Sequence, residues 1–523
     1  MVELIVSGMR VAVEKDSPDE YIRAVARALD VGEEHITIVA MLEKSLDMGD
    51  PEQFYYTVSV AAGIPERFGN PKNFPAYVRK KIAVRTPPKS TDRPVIIGFG
   101  PAGMFAALEL LERGIKPVIF ERGKKIEERS VDVRRFITDR VLNPQSNIQF
   151  GEGGAGAYSD GKLFSRIQNS PSVATVLDTL IAFGAPPEIA YVSKPHLGTD
   201  VLCGIVRAIR DYILQHGGEI HYNAVMTDII IDNHLVRGVI INGTTEYRAS
   251  SVYLAVGHSA RDTFALLRDK GITLEQKPIA VGVRIEHPVE IINHIRYGEK
   301  YKNFSALGAA TYSFNYTNRS IQRGVYTFCM CPGGEVVNAS SEDGLLVING
   351  MSYAARGSAF SNAAMVVTCH PADYPSSNPL AGIDFQKEIE RKAFVTGGGT
   401  GAAPAQNLED YLAGTVSGCL NKNSYAMGTV AADLRELFPG FINDALRSAF
   451  DRWKQESPLF VSRHAVLMGA ETRTSCPVRI LRGGNYASVS CANLFPIGEG
   501  SGYAGGITSS AADAVRVVEQ QIG

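Results

Sequence analysis

The sequence predicts an α/β protein: a discontinuous Rossmann-like domain carrying an inserted β-rich domain, preceded by a small N-terminal α+β domain of ferredoxin-like type. Three observations predict it. The short apolar run Val95-Ile96-Ile97 opens straight into a glycine turn and a helix, as a strand of a buried parallel sheet does. The same strand, glycine turn and helix return only near the C-terminus, after Leu494-Phe495-Pro496-Ile497. Between them, from Gly271 to about Phe460, strand-type residues and turns follow one another without βαβ alternation. The expected domains are therefore residues 1–88, 93–270, 271–462 and 463–523, the second and fourth forming one unit.

The N-terminal domain reads in order. Leu4 to Val13 is a strand. Ser17 is an N-cap and Glu20 completes a capping box before a helix with Tyr21, Val25 and Leu29 on one face. Gly32 ends that helix. His35 to Leu42 and Phe54 to Val60 are further strands. Thr86 to Thr91, with its Pro-Pro pair, is a linker. After Pro94 come the helix with Phe105, Leu108 and Leu111 inside, a stop at Gly114, and the strand Pro117 to Phe120. A helix from Val201 to His216, a strand from Ile220 to Ala224, a hairpin from Met226 to Tyr247 and a strand from Ser251 to Val256 complete the first segment. Ile507 to Gln521 is the closing helix.

Composition narrows the function classes. Basic and acidic side chains number 53 and 55, for a net charge of −2. Such a balance gives no field for nucleic acid or an anionic membrane surface. The uncharged runs, that between Arg93 and Glu109 among them, are too short to span a bilayer, so no membrane insertion is expected. Seven scattered cysteines suit neither a disulfide framework nor a zinc site, and no metal is expected. Met1 to Leu4 does not open a signal peptide. The expected location is the cytoplasm.

Gly98-x-Gly100-x-x-Gly103 has the context that a nucleotide fingerprint needs: a strand before, a helix after, small Ala107 further on, and Glu121 ending the next strand. Gly98 allows the tight turn, Gly100 admits a pyrophosphate, and Gly103 with Ala107 lets helix and strand pack closely. Pro101 and Ala102 open the helix, whose N-terminus favours phosphate. Glu121 can accept from a ribose diol. An NAD domain would close its sheet within about 150 residues. Here Gly498, Glu499, Gly505, Gly506 and Ile507 form a second glycine element at the far end of the chain, and Ala255-Val256-Gly257 forms a third between them. That arrangement favours FAD with an inserted substrate domain.

The same residues carry a resemblance. Gln149 to Lys162 includes Gly153-Gly154-Ala155-Gly156. Lys194-Pro195-His196-Leu197-Gly198-Thr199, Gly257-His258-Ser259-Ala260-Arg261-Asp262, Gly282 to Pro288, Cys329-Met330-Cys331-Pro332-Gly333-Gly334 and Asn349 to Arg356 are further stretches of it. Together they resemble the bacterial FAD-dependent dehydrogenase family labelled NAD(FAD)-utilising dehydrogenases, within the glutathione-reductase-like flavoproteins. The resemblance spans essentially the whole chain. Val256 departs from it, standing where relatives have threonine. It implies FAD as cofactor, with Arg122, Arg129 and Val225 joining the glycine elements as contacts. It names no substrate.

The remaining candidates are individual side chains. Lys162 can place a positive charge beside the flavin ring. His196 and His258 sit beside glycines at strand ends and can donate to cofactor or substrate. Arg284, in the apolar strand Ala280 to Ile285, needs Glu286 or a substrate carboxylate as partner. Lys162, His196 and Arg284 are the catalytic candidates. Cys329 and Cys331 are a spacing of two apart, which puts both on one face of a strand; a structural role and a redox role are both open. Thr396 to Gly401 imitates a dinucleotide loop, yet Pro404 follows where a helix should run, so it reads as a loop facing the flavin. NAD(P)H is then at most a transient electron donor at the flavin face.

The expected activity is an FAD-dependent oxidoreductase moving hydride between flavin N5 and a small molecule. Double-bond reduction, dehydrogenation and oxygen-dependent hydroxylation all fit the fold. The alternative is a non-catalytic flavoprotein, a redox sensor or docking module with a protein redox partner. A polar-lined cavity at the flavin separates the first from the second.

Overall fold

The computed structural model describes residues 1–70, 72–78, 93–163, 170–319 and 322–522. The predicted linker Thr86 to Thr91 lies outside them. Three units are visible, each around its own core.

The N-terminal unit is a three-stranded antiparallel sheet, Val2–Ala12, Tyr55–Ile64 and Thr37–Asp47 in that spatial order. The helix Pro18–Leu29 covers it. Ser17 caps this helix by accepting from the Glu20 amide at 3.3 Å, but the Glu20 carboxylate turns to Arg23 and Arg27 instead of closing a capping box. The helix ends on Asp30 in the left-handed region, not on Gly32. Residue 76 bridges Leu4 on the free edge of Val2–Ala12. The second helix of a ferredoxin-like unit is not among the described residues; a single 3-10 turn, Glu66–Phe68, stands in the same stretch of chain.

The central unit is a five-stranded parallel sheet in the order Leu494–Pro496, Val252–Leu254, Val95–Ile97, Val118–Phe120, Glu219–His221. Alternation along these short strands builds two faces. Ile96, Ile119, Tyr253 and Phe495 pack under the helices Pro101–Glu112, Gly198–Gln215 and Ile507–Ile522. Val95, Ile97, Val118, Phe120 and Leu254 pack under the meander of Met226–Asp232, Leu235–Ile241 and Thr245–Arg248. Val95–Ile97 lies between neighbours of opposite sequence direction, which is the switch point where such sheets bind ligands.

The inserted unit is a seven-stranded sheet in the order Asn315–Asn318, Arg323–Cys331, Phe360–Cys369, Ile279–Pro288, Val466–Glu471, Ala403–Asn407, Thr429–Ala431. Its core includes the helix Gly440–Glu456 with buried Trp453. The structure moves the last domain boundary. Val466–Glu471 pairs with Ile279–Pro288 and with Ala403–Asn407, so the insertion runs past the expected end at residue 462. Just outside the inserted sheet, Leu274–Gln276 pairs with Val478–Ile480. The Thr396 to Gly401 loop also departs from expectation. It ends the helix Ala381–Thr396, and its Gly401 carbonyl accepts from the Tyr425 hydroxyl at 2.7 Å, away from the central cleft. Among the described residues, no helix is long and apolar enough to cross a membrane.

Candidate cofactor site

The C-terminal ends of the parallel strands open on a cleft of about 350 Å³, within the range of small-molecule sites. Gly98 turns the chain into it at φ +99°, and a Cβ there would lie 2.4 Å from the Ala255 carbonyl oxygen. Gly103 is the packing glycine: a Cβ would lie 2.0 Å from the Gly98 carbonyl oxygen.

Two helices present their N-termini to the cleft. Gly100, Pro101 and Ala102 line it at the start of Pro101–Glu112, and Gly505, Gly506 and Ile507 at the start of Ile507–Ile522. Neither first turn holds an acidic residue, and Gly100 caps without a side chain. Free backbone N–H groups and aligned peptide dipoles favour an anion there. Glu121 also lines the cleft. It accepts from the amides of Phe99 at 2.8 Å, Gly123 at 2.8 Å and Gly151 at 3.0 Å, fixing three loops around one side chain. Arg122 stacks over Phe150 and pairs with Asp262 at 2.8 Å.

Lys162, on the glycine loop, lines the cleft together with Phe328, Cys329 and Asn349 of the inserted unit. Its ammonium donates to Asp160 at 2.7 Å and to the Met330 carbonyl. His258 lines the cleft with Nδ1 2.9 Å from the Ser259 hydroxyl. Burial lowers the His258 pKa, and Arg473 and Arg261 nearby add to this over the opposing pull of Glu499.

Of the expected cofactor contacts, Gly98, Gly100, Pro101, Ala102, Glu121, Arg122, Gly154, Ala155, Gly156, Lys162, Ala255, Gly257, Glu499, Gly505, Gly506 and Ile507 meet along this cleft. Others stand outside its lining. Arg129 is wholly buried and spends its guanidinium on the carbonyls of Asn147, Ile148, Gly151 and Glu152, so it shapes the loop from behind. The Val225 backbone is committed to Asn242 through both its N–H and its carbonyl. The Gly153 amide donates to the Phe99 carbonyl, and the Gly498 amide to Asp513. Gly103 packs behind the turn.

Two catalytic candidates move as well. Arg284 is fully buried and pairs with Glu471 at 2.9 and 3.0 Å, not with Glu286 or a substrate. It also donates to the Cys329 carbonyl and the Asn349 side chain, so it positions the cleft wall from outside. His196 bridges the backbone of Lys162 beside the cleft. Arg473 and Thr474, which the sequence reading did not single out, line the cleft. They follow the strand Val466–Glu471, and only its long-range pairing carries them there.

The charges fit a dinucleotide: a carboxylate, two helix N-termini and a lysine line one cleft. Residues 278–474 match the family model described as FAD-dependent protein, C-terminal domain-like. Over 432 residues, 82% of this chain and 80% of the relative, the chain is 44% identical to an uncharacterised protein of Clostridium beijerinckii. The chain shares a family with this relative, and its residues 278–474 carry the C-terminal domain of FAD-dependent proteins.

Solved structures give a remoter likeness. FqzB has 12% identity and a TM-score of 0.37 over 84% of this chain and 77% of its own. A mutant of the halogenase PltM in complex with FAD has 10% identity and a TM-score of 0.37 over 82% and 68%. CtdE in complex with FAD has 10% and 0.33 over 82% of both chains.

Proposed function

We propose that this family member is an oxidoreductase whose cleft holds FAD. Glu121 would hold the ribose, the two helix N-termini the pyrophosphate, and Lys162 would stand at the ring. The observation that carries the reading is that one cleft is walled by both helix starts of the central unit and by Phe328, Cys329 and Asn349 of the inserted unit. A cleft walled by a second unit has room for a substrate class that the fold alone does not specify.

When bound, FAD supplies two-electron chemistry, including hydride exchange at N5 of its ring. The chain's own residues supply charge and position. Lys162, fixed by Asp160, holds a positive charge where negative charge develops on reduction. His258 lines the cleft with its pKa lowered by burial, an imidazole able to give or take a proton. Phe328 adds an apolar ring to the cleft wall.

The test is anaerobic mixing of the FAD-loaded protein with NADPH or NADH while the flavin band is followed. Fast bleaching by one nicotinamide is the expected result and makes NAD(P)H the transient donor. An unchanged spectrum with both points to a substrate dehydrogenase, to reduction by a protein partner, or to a non-catalytic sensor. A protein that takes up no FAD overturns the reading.

A further inference from the structure

The strand Arg323–Cys331 breaks its register beside the cleft. Phe328 pairs with Ala364 and Cys331 with Asn362, so Cys329 and Met330 together face one residue of the neighbouring strand. Cys329 takes φ +44°, a conformation uncommon for a residue with a side chain. The surroundings hold it there. Arg284 donates to the Cys329 carbonyl at 3.2 Å, Lys162 to the Met330 carbonyl, and the Cys331 thiol to the Cys329 carbonyl at 3.3 Å. Backbone strain held by so many partners clusters at functional sites.

The two sulfurs have different surroundings. Cys329 lines the cleft. Cys331 is wholly buried behind it, so tightly that a Cβ on Gly350 would lie 2.7 Å from its sulfur. The hydrogen bond from Cys331 and the charges of Lys162 and Arg284 lower the Cys329 pKa, while Cys331 is raised by its neighbour and by burial. Burial raises Cys203, Cys369, Cys476 and Cys491. Only Cys329 moves the other way, into the range of a reactive thiolate.

We infer that Cys329 and Cys331 are a redox-active dithiol that closes and opens as a disulfide at the flavin end of the cleft. The inference rests on the FAD reading of that cleft. Spacing permits it: two residues along a strand cover about 6.7 Å, the upper end of the roughly 4.4–6.8 Å between Cα atoms that a disulfide spans, and a bulge bends the strand further. On closing, an S–S bond forms between the Cys329 thiolate and the Cys331 sulfur. The Cys331 proton and one electron pair leave together and pass to the oxidised flavin. On opening, the same pair and proton return, the S–S bond breaks, and Cys329 is left as thiolate with Cys331 as thiol. The open thiolate then suits a disulfide substrate. Cys329 attacks one sulfur and releases a thiolate. Cys331 attacks the Cys329 sulfur, passes its proton to the second leaving sulfur, and restores the internal disulfide.

The test uses the intact FAD-loaded protein. It is treated with diamide, denatured with maleimide present, and digested with trypsin. The peptide Gly324 to Arg356 contains both cysteines and no other. It is expected unlabelled and lighter by two hydrogen atoms, and doubly labelled after dithiothreitol. Anaerobic dithionite titration of the diamide-treated protein is expected to take four electrons per FAD, two of them for the disulfide, against two in Cys331→Ser. A doubly labelled peptide after diamide, a disulfide to another cysteine, or two electrons per FAD in the unmodified chain overturns the dithiol. A yellow protein with both thiols free defeats the dithiol alone, and a colourless one defeats the FAD reading. The peptide assay reads the dithiol in either case and needs no variant to fold.

Discussion

Glu286 shows how much a single buried carboxyl can hide. It lies on the strand Ile279–Pro288, fully enclosed, and accepts from the Ser424 amide at 2.7 Å and from the Ser424 hydroxyl. Burial pushes its pKa up to about 7, against the pull of Ser424 and Arg284 and with Glu335 adding to the rise. From the unfolded value near about 4.3 up to about 7, the folded chain keeps a proton that the unfolded chain has lost. Stability therefore falls as pH rises through that window and levels off above it, a loss on the order of 3 kcal/mol. His287 works in the opposite sense: burial lowers its pKa to about 4, so stability falls as pH drops below the unfolded value near about 6.5. The two slopes mask each other in the native profile. Glu286→Gln, which imitates the protonated side chain, removes one of them. Denaturant midpoints are expected to coincide for variant and native chain near about pH 4, and to favour the variant by on the order of 3 kcal/mol at about pH 8. A difference that stays flat with pH sinks the assignment. The residue-scale limits of sequence reading appear on the same strand. Arg284 was legible as an arginine needing a partner in an apolar strand. Its partner Glu471 lies 187 positions away and across a sheet, a pairing that no local pattern encodes.

At the scale of elements, the glycine turn after Val95–Ile97 is the most legible feature, because each requirement is local: strand, turn, helix, acidic strand end. Gly103→Ala tests the packing role. The added methyl meets the Gly98 carbonyl oxygen, a backbone atom that cannot swing away, and overpacking of this kind costs about 1–3 kcal/mol. Because the displaced carbonyl belongs to the turn itself, FAD affinity is expected to fall about tenfold or more, measured by equilibrium dialysis. Gly505→Ala is the control, since nothing lies within 4 Å of its added methyl; it is expected to keep the fold and its denaturant midpoint. Equal losses of stability in both variants count against the packing argument. The β-rich insertion was legible as a class but not in extent. Val466–Glu471 looks, in sequence, like the return of the central domain. It joins the seven-stranded sheet through register with Ile279–Pro288, and register between distant strands is set by the buried face they share. The same long-range pairing hid Arg473 and Thr474 from the site.

At the scale of the molecule, one carboxylate ties the units together. Glu390, on the inserted unit's helix Ala381–Thr396, accepts from Arg261 of the central unit at 2.7 and 2.9 Å and from Arg473 at 2.9 and 3.1 Å. All three side chains are buried. Burial alone would raise the Glu390 pKa, but the two guanidinium charges outweigh it and hold the carboxyl far below the usual carboxylate range. The N-terminal unit attaches by a lighter contact, with Phe54 stacked on Tyr301 at 4.3 Å and the Tyr301 hydroxyl donating to Glu14 at 2.6 Å. Breaking a buried ion pair by removing one partner costs about 3–5 kcal/mol, because the other charge stays behind uncompensated. In Glu390→Gln two arginines lose a carboxylate, one on each side of the junction, and Glu342 alone is left to pair them, so the penalty falls on the interface more than on either core. The central and inserted units, which have separate cores, are then expected to lose their coupling. Calorimetry is expected to show the main unfolding transition of the native chain divide into two in Glu390→Gln, the lower shifted down by several degrees. FAD affinity is expected to weaken in the same variant, since Arg473 lines the cleft. A single transition at an unchanged temperature, with FAD bound as tightly as before, shows that the units are held by apolar packing instead and that this ion cluster contributes little.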